Sequence, residues 1–158
     1  MIGPRPAHLA FALDSDVLND WRNEKLSTVQ AINDYIDKVK APPALTSMTV
    51  FEMLFGFENS AVLLGGMTDR TKADKQDAQS LTRNCRILPF NEEAAGIAAY
   101  VYARFSPKQK KDLFRDLLIA ATALAHDHGV ITRNRRDFEL IAQHIPQERT
   151  ALRLEIWP

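Results

Sequence analysis

The sequence has very little cysteine and no long apolar run. Cys85 is the only cysteine among the 158 residues, so an internal disulfide and a Cys-x-x-Cys metal or redox pair are both excluded. No apolar stretch approaches the roughly 20 residues of a membrane-spanning helix. The start, MIGPRPAHLAF, lacks the apolar segment of a secretion signal. We therefore expect a cytoplasmic protein in which Cys85 is a small buried group.

An excess of charge of either sign is also absent. Lys plus Arg number 20 and Asp plus Glu number 20, which gives no support for a strongly cationic nucleic-acid binder. With 46% hydrophobic residues, no internal repeat and no long linker, the composition is that of one globular domain, residues 1–158. Basic residues are nevertheless concentrated in one part of the chain: Lys108, Lys110, Lys111, Arg115, Arg133, Arg135 and Arg136.

What the sequence does contain is an alternation of short apolar runs with helical patterns. The runs predict strands at 9–13, 44–48, 86–90, 130–132 and 152–157. Helices are expected between them, for example at 27–39, 67–84 and 91–105. Pro89 places the third strand at an edge of the sheet. This order is typical of an α/β fold, a three-layer α/β/α sandwich with a mostly parallel five-stranded sheet.

The most informative stretch is residues 112–138, DLFRDLLIAATALAHDHGVITRNRRDF. Residues 117–125 are almost all apolar, which predicts a helix buried on all sides, with Asp116 at its start and Gly129 after its end. The strand 130–132 follows and leads to Asp137. Each acid also has a structural explanation, because Asp116 can complement a helix dipole and Asp137 can take part in helix capping.

Two further acids occupy similar positions earlier in the chain. Asp14 ends the first predicted strand, and Glu52 follows the second among large apolar residues, where a carboxylate is costly without a partner or a cation. Because the carboxyl ends of parallel strands meet at one edge of a sheet, Asp14, Glu52, Asp116 and Asp137 can converge there. Carboxylates without histidines favour Mg²⁺ or Mn²⁺ over zinc. Such an ion can activate water and stabilise a phosphodiester under attack.

Three segments, LDSDVL, TSMTVFEMLFG and DLLIAATALAHDHGVITRNRRDF, resemble in order and spacing the signatures of the PIN-domain nucleases, and more narrowly those of the VapC-type toxins. The resemblance implies an endoribonuclease that requires Mg²⁺ (or Mn²⁺), forms a homodimer and is inhibited by a cognate antitoxin protein. It assigns catalysis and metal binding to Asp14, Glu52, Asp116 and Asp137. Side chains that orient these acids or water are then Ser15, Thr132 and Asn134.

The remaining candidates have open alternatives. Arg133, Arg135 and Arg136 are candidate contacts to RNA phosphates, or else plain solvated arginines. Asp16 and Asp112 lie near the site acids in sequence, and either could assist one of them. The residues that could receive an antitoxin helix, or else fill the core, are Leu26, Phe51, Leu54, Phe55, Phe57, Val62, Leu63 and Leu64. The histidines, interpreted as surface or helix-end groups, are His8, His126, His128 and His144.

Two other functions compete with the nuclease. The motif DSDV after a strand matches the haloacid dehalogenase type of phosphatase, in which Asp14 would be phosphorylated and Asp16 would act as acid and base. A later Gly-Asp pair at a strand end, which that family needs, is missing. The second alternative is a PIN scaffold without activity that binds a partner protein.

Overall fold

The computed structural model describes residues 10–158, so Leu9 of the first predicted strand and His8 lie outside the described residues. The strands are β1 Phe11–Leu13, β2 Ala44–Thr46, β3 Ile87–Leu88, β4 Gly129–Thr132 and β5 Leu154–Ile156. They form one sheet in the order β3-β2-β1-β4-β5, with every neighbouring pair parallel. The predicted α/β fold with its five-stranded sheet is therefore confirmed, and β3 lies at an edge as Pro89 indicates.

The helices connect and cover these strands. They are α1 Ser15–Arg22, α2 Leu26–Val39, α3 Ser47–Leu63, α4 Asp69–Thr82, α5 Glu92–Arg104, α6 Pro107–Asp112, α7 Phe114–Ala125 and α8 Arg135–Ala142. The second strand ends earlier than 44–48 predicts, because Thr46 caps α3 by accepting a hydrogen bond from the backbone N–H of Thr49. The sequence analysis did not predict α6, although Ser106 and Gln109 form a capping box at its start.

The core consists of two apolar clusters, one on each face of the sheet. Successive strand residues point to opposite faces, so Ala12 and Val130 join the cluster beneath α5, α7 and α8. Leu13 and Ile131 join the cluster beneath α1, α2 and α3, which also contains the buried Cys85. This alternation explains the three layers. Among residues 10–158, no helix is both long and apolar enough to cross a membrane.

Helix α7 is the most deeply buried helix of the first cluster. Its residues Ile119, Ala120, Ala121 and Ala123 are fully buried, as the apolar run 117–125 predicts. Burial of a side chain such as Ile119 stabilises the fold by about 1.5–3 kcal/mol. The first turn of α7 is thereby fixed against the sheet, and it carries Asp116.

The central strand β1 contacts β4 closely at Gly129. A Cβ atom built on Gly129 would lie 2.5 Å from the Phe11 ring and 2.8 Å from the carbonyl oxygen of Arg153. A side chain at this position would therefore separate the strands. The resulting register pairs Leu13 with Ile131 and brings the ends of β1 and β4 together.

Candidate active site

Asp14 is the best-fixed acid of the site. It follows β1, caps α1 and is only 4% exposed. Its Oδ1 accepts a hydrogen bond from the backbone N–H of Ser15 at 2.7 Å, and its Oδ2 accepts one from the Thr132 hydroxyl at 2.8 Å. Burial raises the pKa of Asp14 to about 6, the negative charges of Asp16 and Glu52 add to the rise, and the two hydrogen bonds oppose it.

Glu52 reaches the same site from the second turn of α3. Its Oε1 accepts a hydrogen bond from the Ser15 hydroxyl at 3.0 Å. The Arg115 guanidinium lies 3.9 Å from Oε2, at the limit of an ion pair and largely exposed. Thr49, one turn earlier on α3, donates its hydroxyl to the carbonyl oxygen of Leu13 at 3.3 Å. This bond fixes the start of α3 to the end of β1, so Glu52 and Asp14 approach the site from neighbouring elements.

Asp116 lies in the first turn of α7 and is half-buried. Within residues 10–158, its carboxylate forms no hydrogen bond and no ion pair. Burial first, and then the negative charges of Asp14, Asp137, Glu52 and Asp16, in that order, together raise the pKa of Asp116 to about 7. Asp116 is therefore surrounded by four other acids and lacks a compensating cation among the described side chains.

Asp137 completes the group from the first turn of α8. Its Oδ2 accepts a hydrogen bond from the side-chain amide of Asn134 at 2.8 Å, and its backbone N–H donates to Asn134 Oδ1 at 3.3 Å. The capping role considered for Asp137 is thus present, and it leaves the carboxylate near Asp116. The backbone N–H of Asn134 donates to Thr132 Oγ1 at 2.9 Å, so hydrogen bonds link Asp14, Thr132, Asn134 and Asp137 in series.

The chemistry of this site fits a divalent cation. Its donors are carboxylate oxygens, which Mg²⁺ and Mn²⁺ prefer. The pKa values of Asp14 and Asp116 are raised first by burial and then by neighbouring negative charges, and such an ion would neutralise this charge. Among residues 10–158, however, no three Asp, Glu, His or Cys side chains lie close enough to hold one ion in their present rotamers. Asp14, Glu52, Asp116 and Asp137 surround the site, and side-chain rotations would be needed to close a ligand set.

The candidate phosphate contacts lie just beyond the end of β4 and differ in their pairing. Arg133 Nε lies 3.1 Å from Asp20 Oδ2, and Arg135 pairs with Glu139 at 3.3 Å. Arg136 is exposed and has no ion pair within residues 10–158. Asp20, which also pairs with Lys25 at 3.4 Å, was not singled out from the sequence, because no local pattern shows that α1 passes beside the end of β4.

The two additional acids behave differently. Asp16 is exposed, and its negative charge raises the pKa of both Asp14 and Asp116. Asp112 pairs with Lys108 at 3.0 Å on the exposed surface of α6, and it is not among the charges that act on Asp116. Of the two, only Asp16 belongs electrostatically to the site.

The described histidines lie at helix ends. His126 follows α7 at the end opposite Asp116, and its Nε2 lies 2.9 Å from the carbonyl oxygen of Pro89. His128 Nδ1 bonds to the carbonyl oxygen of His126, and His144 contacts the edge of Phe105. These positions agree with their interpretation as surface or helix-end groups.

Comparison with known proteins places this geometry in a family. The sequence profile of the PIN domain matches residues 11–143. The chain is 28% identical over 145 residues to "Ribonuclease VapC" of Rickettsia bellii, and the alignment covers 85% of this chain and 92% of that protein. Among the solved structures that share the fold are two VapBC proteins. They are DNA-bound VapBC from Salmonella typhimurium (TM-score 0.71, 20% identity, 94% of this chain and 98% of that chain) and VapBC2 from Rickettsia felis with a promoter DNA fragment (TM-score 0.69, 18% identity, 94% and 99%). Because the profile covers most of the chain, including every acid of the site, the protein belongs to the PIN-domain family.

Proposed function

We propose that the protein is an endoribonuclease toxin that uses Mg²⁺ or Mn²⁺ and is inhibited by a partner antitoxin. The observation that carries the proposal is the position of Asp116, on which the charges of Asp14, Asp137, Glu52 and Asp16 act and which itself pairs with no cation among the described side chains. So many acids in one place repel each other and repel a phosphate unless a metal is bound. The name of the relative from Rickettsia bellii, a ribonuclease, supports RNA as the substrate.

Asp14, Glu52 and Asp116 would hold the main ion, and Asp137 would hold a second ion or its water. An ion held by these residues would supply an activated water for in-line attack on the phosphodiester and positive charge to neutralise the charge that develops. The Thr132 hydroxyl orients Asp14, and the Ser15 hydroxyl orients Glu52. Asn134 does the same for Asp137. Arg136, which is exposed and unpaired among the described residues, provides a contact to the RNA backbone.

Cleavage of single-stranded RNA by the purified protein tests this function. We expect cleavage with Mg²⁺ or Mn²⁺, none with EDTA, and none by Asp14→Asn, which keeps the shape of the side chain and removes its charge. Phosphate release from a small ester such as p-nitrophenyl phosphate, with a phosphoenzyme on Asp14, would instead support the phosphatase. A folded wild-type protein that binds a partner but cuts no RNA would support the scaffold without activity.

An exposed apolar surface on α3 supports a partner protein. The Phe51 and Phe55 rings are stacked with centroids 6.0 Å apart, and both are about half exposed. Near the end of the helix, Val62, Leu63 and Leu64 are between 66% and 79% exposed. We call these five residues the α3 apolar surface. Neighbours in the fold include VapBC toxin–antitoxin systems, and an amphipathic antitoxin helix could cover such a surface.

Not every residue considered for the partner belongs to this surface. Phe57 was a candidate, but it is only 9% exposed and packs in the second core cluster. Leu54 is half-buried against the same cluster, and Leu26, 69% exposed, lies at the start of α2. For Phe57 the structure favours core burial, the other alternative left open by the sequence, because Phe57 lies one turn after the buried Met53, on the core side of α3.

Copurification of the expressed protein with a small protein from an adjacent coding sequence tests the partner, and the proposal fails if neither such a sequence nor a copurifying protein exists. Phe55→Ser should raise the Kd of that complex by tenfold or more, as expected for loss of an aromatic anchor at an interface. Phe90→Ser serves as the matched control, because Phe90 is 44% exposed, close to the 45% of Phe55, but lies outside α3. Equal affinities of the two variants would contradict the assignment.

A further inference from the structure

A groove of about 320 Å³ lies between α1 and α3 beside the acids. Its walls include Ser15, Asn19 and Arg22 from α1 and Glu52, Gly56 and Ser60 from α3. We call it the α1–α3 groove. Ser15 and Glu52 are the hydrogen-bonded pair of the acid site, so the groove begins at the place where a phosphodiester would be cut and leads away from it.

The far end of the groove is built around Arg22. The Arg22 guanidinium carbon lies 4.8 Å from the centroid of the Phe57 ring, and its NH1 donates to Asn19 Oδ1 at 3.0 Å. Leu18 and Met53 add buried apolar surface to the groove. Arg22 is two helical turns from Ser15, about 10 Å along α1. This end therefore combines the planar cation of Arg22, the aromatic ring of Phe57 and the side-chain amide of Asn19.

Gly56 sits in the middle of α3 on the wall of the groove. Glycine is a poor residue for a helix interior, and a Cβ atom at Gly56 would contact nothing within 4 Å. Packing inside the protein therefore gives no reason for a glycine at this position. Its effect is on the groove, which is wider here than it would be with any side chain.

We propose that the α1–α3 groove is a subsite for one unpaired nucleotide of single-stranded RNA next to the bond that is cut, an inference that rests on the proposed nuclease function. An unpaired base can stack on an arginine plane; Arg22 supplies that plane, and the buried Phe57 ring beneath it holds the guanidinium in place. Asn19 and Ser60 also line the groove. Asn19 Oδ1 accepts from Arg22 and the Ser60 hydroxyl donates to the carbonyl oxygen of Gly56, which leaves the Asn19 amide to donate to a base edge and the Ser60 oxygen to accept from a ribose hydroxyl.

The groove suits RNA better than the partner protein. Its α3 wall is formed by Glu52, Gly56 and Ser60, which recur at four-residue intervals and share one face of the helix. Phe51 and Phe55 of the α3 apolar surface recur at the same interval but start one residue earlier, on a different face. The groove is polar and continuous with the acids, whereas the α3 apolar surface is apolar and exposed.

A blocked groove tests the subsite. We compare the full-length proteins Gly56→Leu and Gly96→Leu on a fluorescein-labelled single-stranded RNA that the wild type cuts in Mn²⁺. Gly96 is the matched control, because it too is an exposed glycine inside a helix, α5, and a Cβ there also contacts nothing within 4 Å. Leu is a good helix former, so both variants should keep or raise the Tm, by about 2–4 °C.

We expect Gly56→Leu to raise KM about tenfold or more, as for loss of one stacked base, with kcat changed much less. Gly96→Leu should leave both constants unchanged. Arg22→Lys, which keeps the charge and loses the planar guanidinium, should raise KM about fivefold.

The alternative outcomes are separable. If the wild type cuts RNA and Asp14→Asn does not, but Gly56→Leu and Gly96→Leu share one KM, the subsite is wrong and the nuclease stands. If Gly56→Leu weakens binding of the partner protein and not of RNA, the groove belongs to the partner and the subsite is again wrong. If the wild type cuts no RNA with either metal, the nuclease proposal fails, and the subsite fails with it.

Discussion

Replacement of Asp116 by Asn should stabilise the metal-free protein while it abolishes cleavage. The ionised Asp116 carboxylate is half-buried among four other acids and has no hydrogen bond to lose within residues 10–158. The rise of its pKa from 3.8 to about 7 means that folding disfavours the charged form. Each pKa unit corresponds to about 1.4 kcal/mol, which gives about 4 kcal/mol before screening, and partial exposure reduces the expected effect to about 2–4 kcal/mol.

The effect should depend on pH in a definite direction. Because the folded-state pKa is higher than the unfolded one, the folded protein binds the proton more tightly, and stability is lost as the pH rises from about 4 through 7. The gain from Asp116→Asn should therefore be small at pH 4.5 and complete at pH 8. Urea unfolding in EDTA at pH 4.5, 6 and 8 measures this difference, and Mn²⁺ at pH 8 should stabilise the wild type more than the variant.

One result would refute this reasoning. If Asp116→Asn is no more stable than the wild type at pH 8 in EDTA, neither the burial of the Asp116 carboxylate nor the acids around it destabilise the fold. The charge crowding on which the metal proposal depends would then be absent. Asp112→Asn is the control, since Asp112 is exposed and paired with Lys108, and it should show no gain that grows with pH.

Two further changes probe the groups around the acids. Thr132→Val keeps the shape of a buried side chain but removes the hydroxyl that hydrogen-bonds with Asp14 and Asn134. We expect the free energy of unfolding in urea to fall by about 1–3 kcal/mol and the cleavage rate to fall roughly 10–100-fold. Thr132→Ser should retain most of the stability and activity, and equal losses in the two variants would contradict a role for the hydroxyl. Arg136→Gln should remove about one phosphate contact, which lowers the log–log slope of RNA affinity against salt concentration by roughly 0.7. Arg135→Gln should change this slope less, because Arg135 is already paired with Glu139. Filter binding between about 50 and 200 mM salt measures both slopes, and a larger effect of Arg135→Gln would reverse the assignment.

Most of the site follows from where acids stand relative to strands. Asp14 comes directly after an apolar run, and Asp116 stands at the start of another, so a parallel sheet alone predicts that they meet at one edge. The burial of α7 is equally predictable from the sequence, because nearly all of its residues from 117 to 125 are apolar. The roles of these acids in metal binding and catalysis, and the homodimer, stay predictions.

Helix α6 and the burial of Phe57 also have local signals in the sequence. The sequence Ser106-Pro107-Lys108-Gln109 has both a capping box and a proline at the first helical position, which together mark the start of α6. Likewise, Thr49, Met53 and Phe57 recur every four residues and are all buried, which separates Phe57 from the exposed Phe51 and Phe55.

The rest required the packing of elements far apart in the chain. The Asp20–Arg133 pair exists because α1 passes beside the end of β4, and no residue near either position signals this. The α1–α3 groove depends on how two helices cross, which sequence periodicity does not determine. Its one trace in the sequence is Gly56, an unexplained glycine inside a helix.

Because β1 lies in the middle of the sheet, the acid site can form only after the later strand β4 has paired with β1. Asp14 is bonded to Thr132 across 118 residues of chain, and the backbone N–H of Asp14 donates to the carbonyl oxygen of Ile131. Pairings between such distant segments form slowly, because a long loop must close first. A nascent chain thus carries Asp14 and Glu52 out of the ribosome long before β4 can join them. The four acids therefore stay apart for most of synthesis, and the proposed nuclease site is incomplete until β4 has joined the sheet.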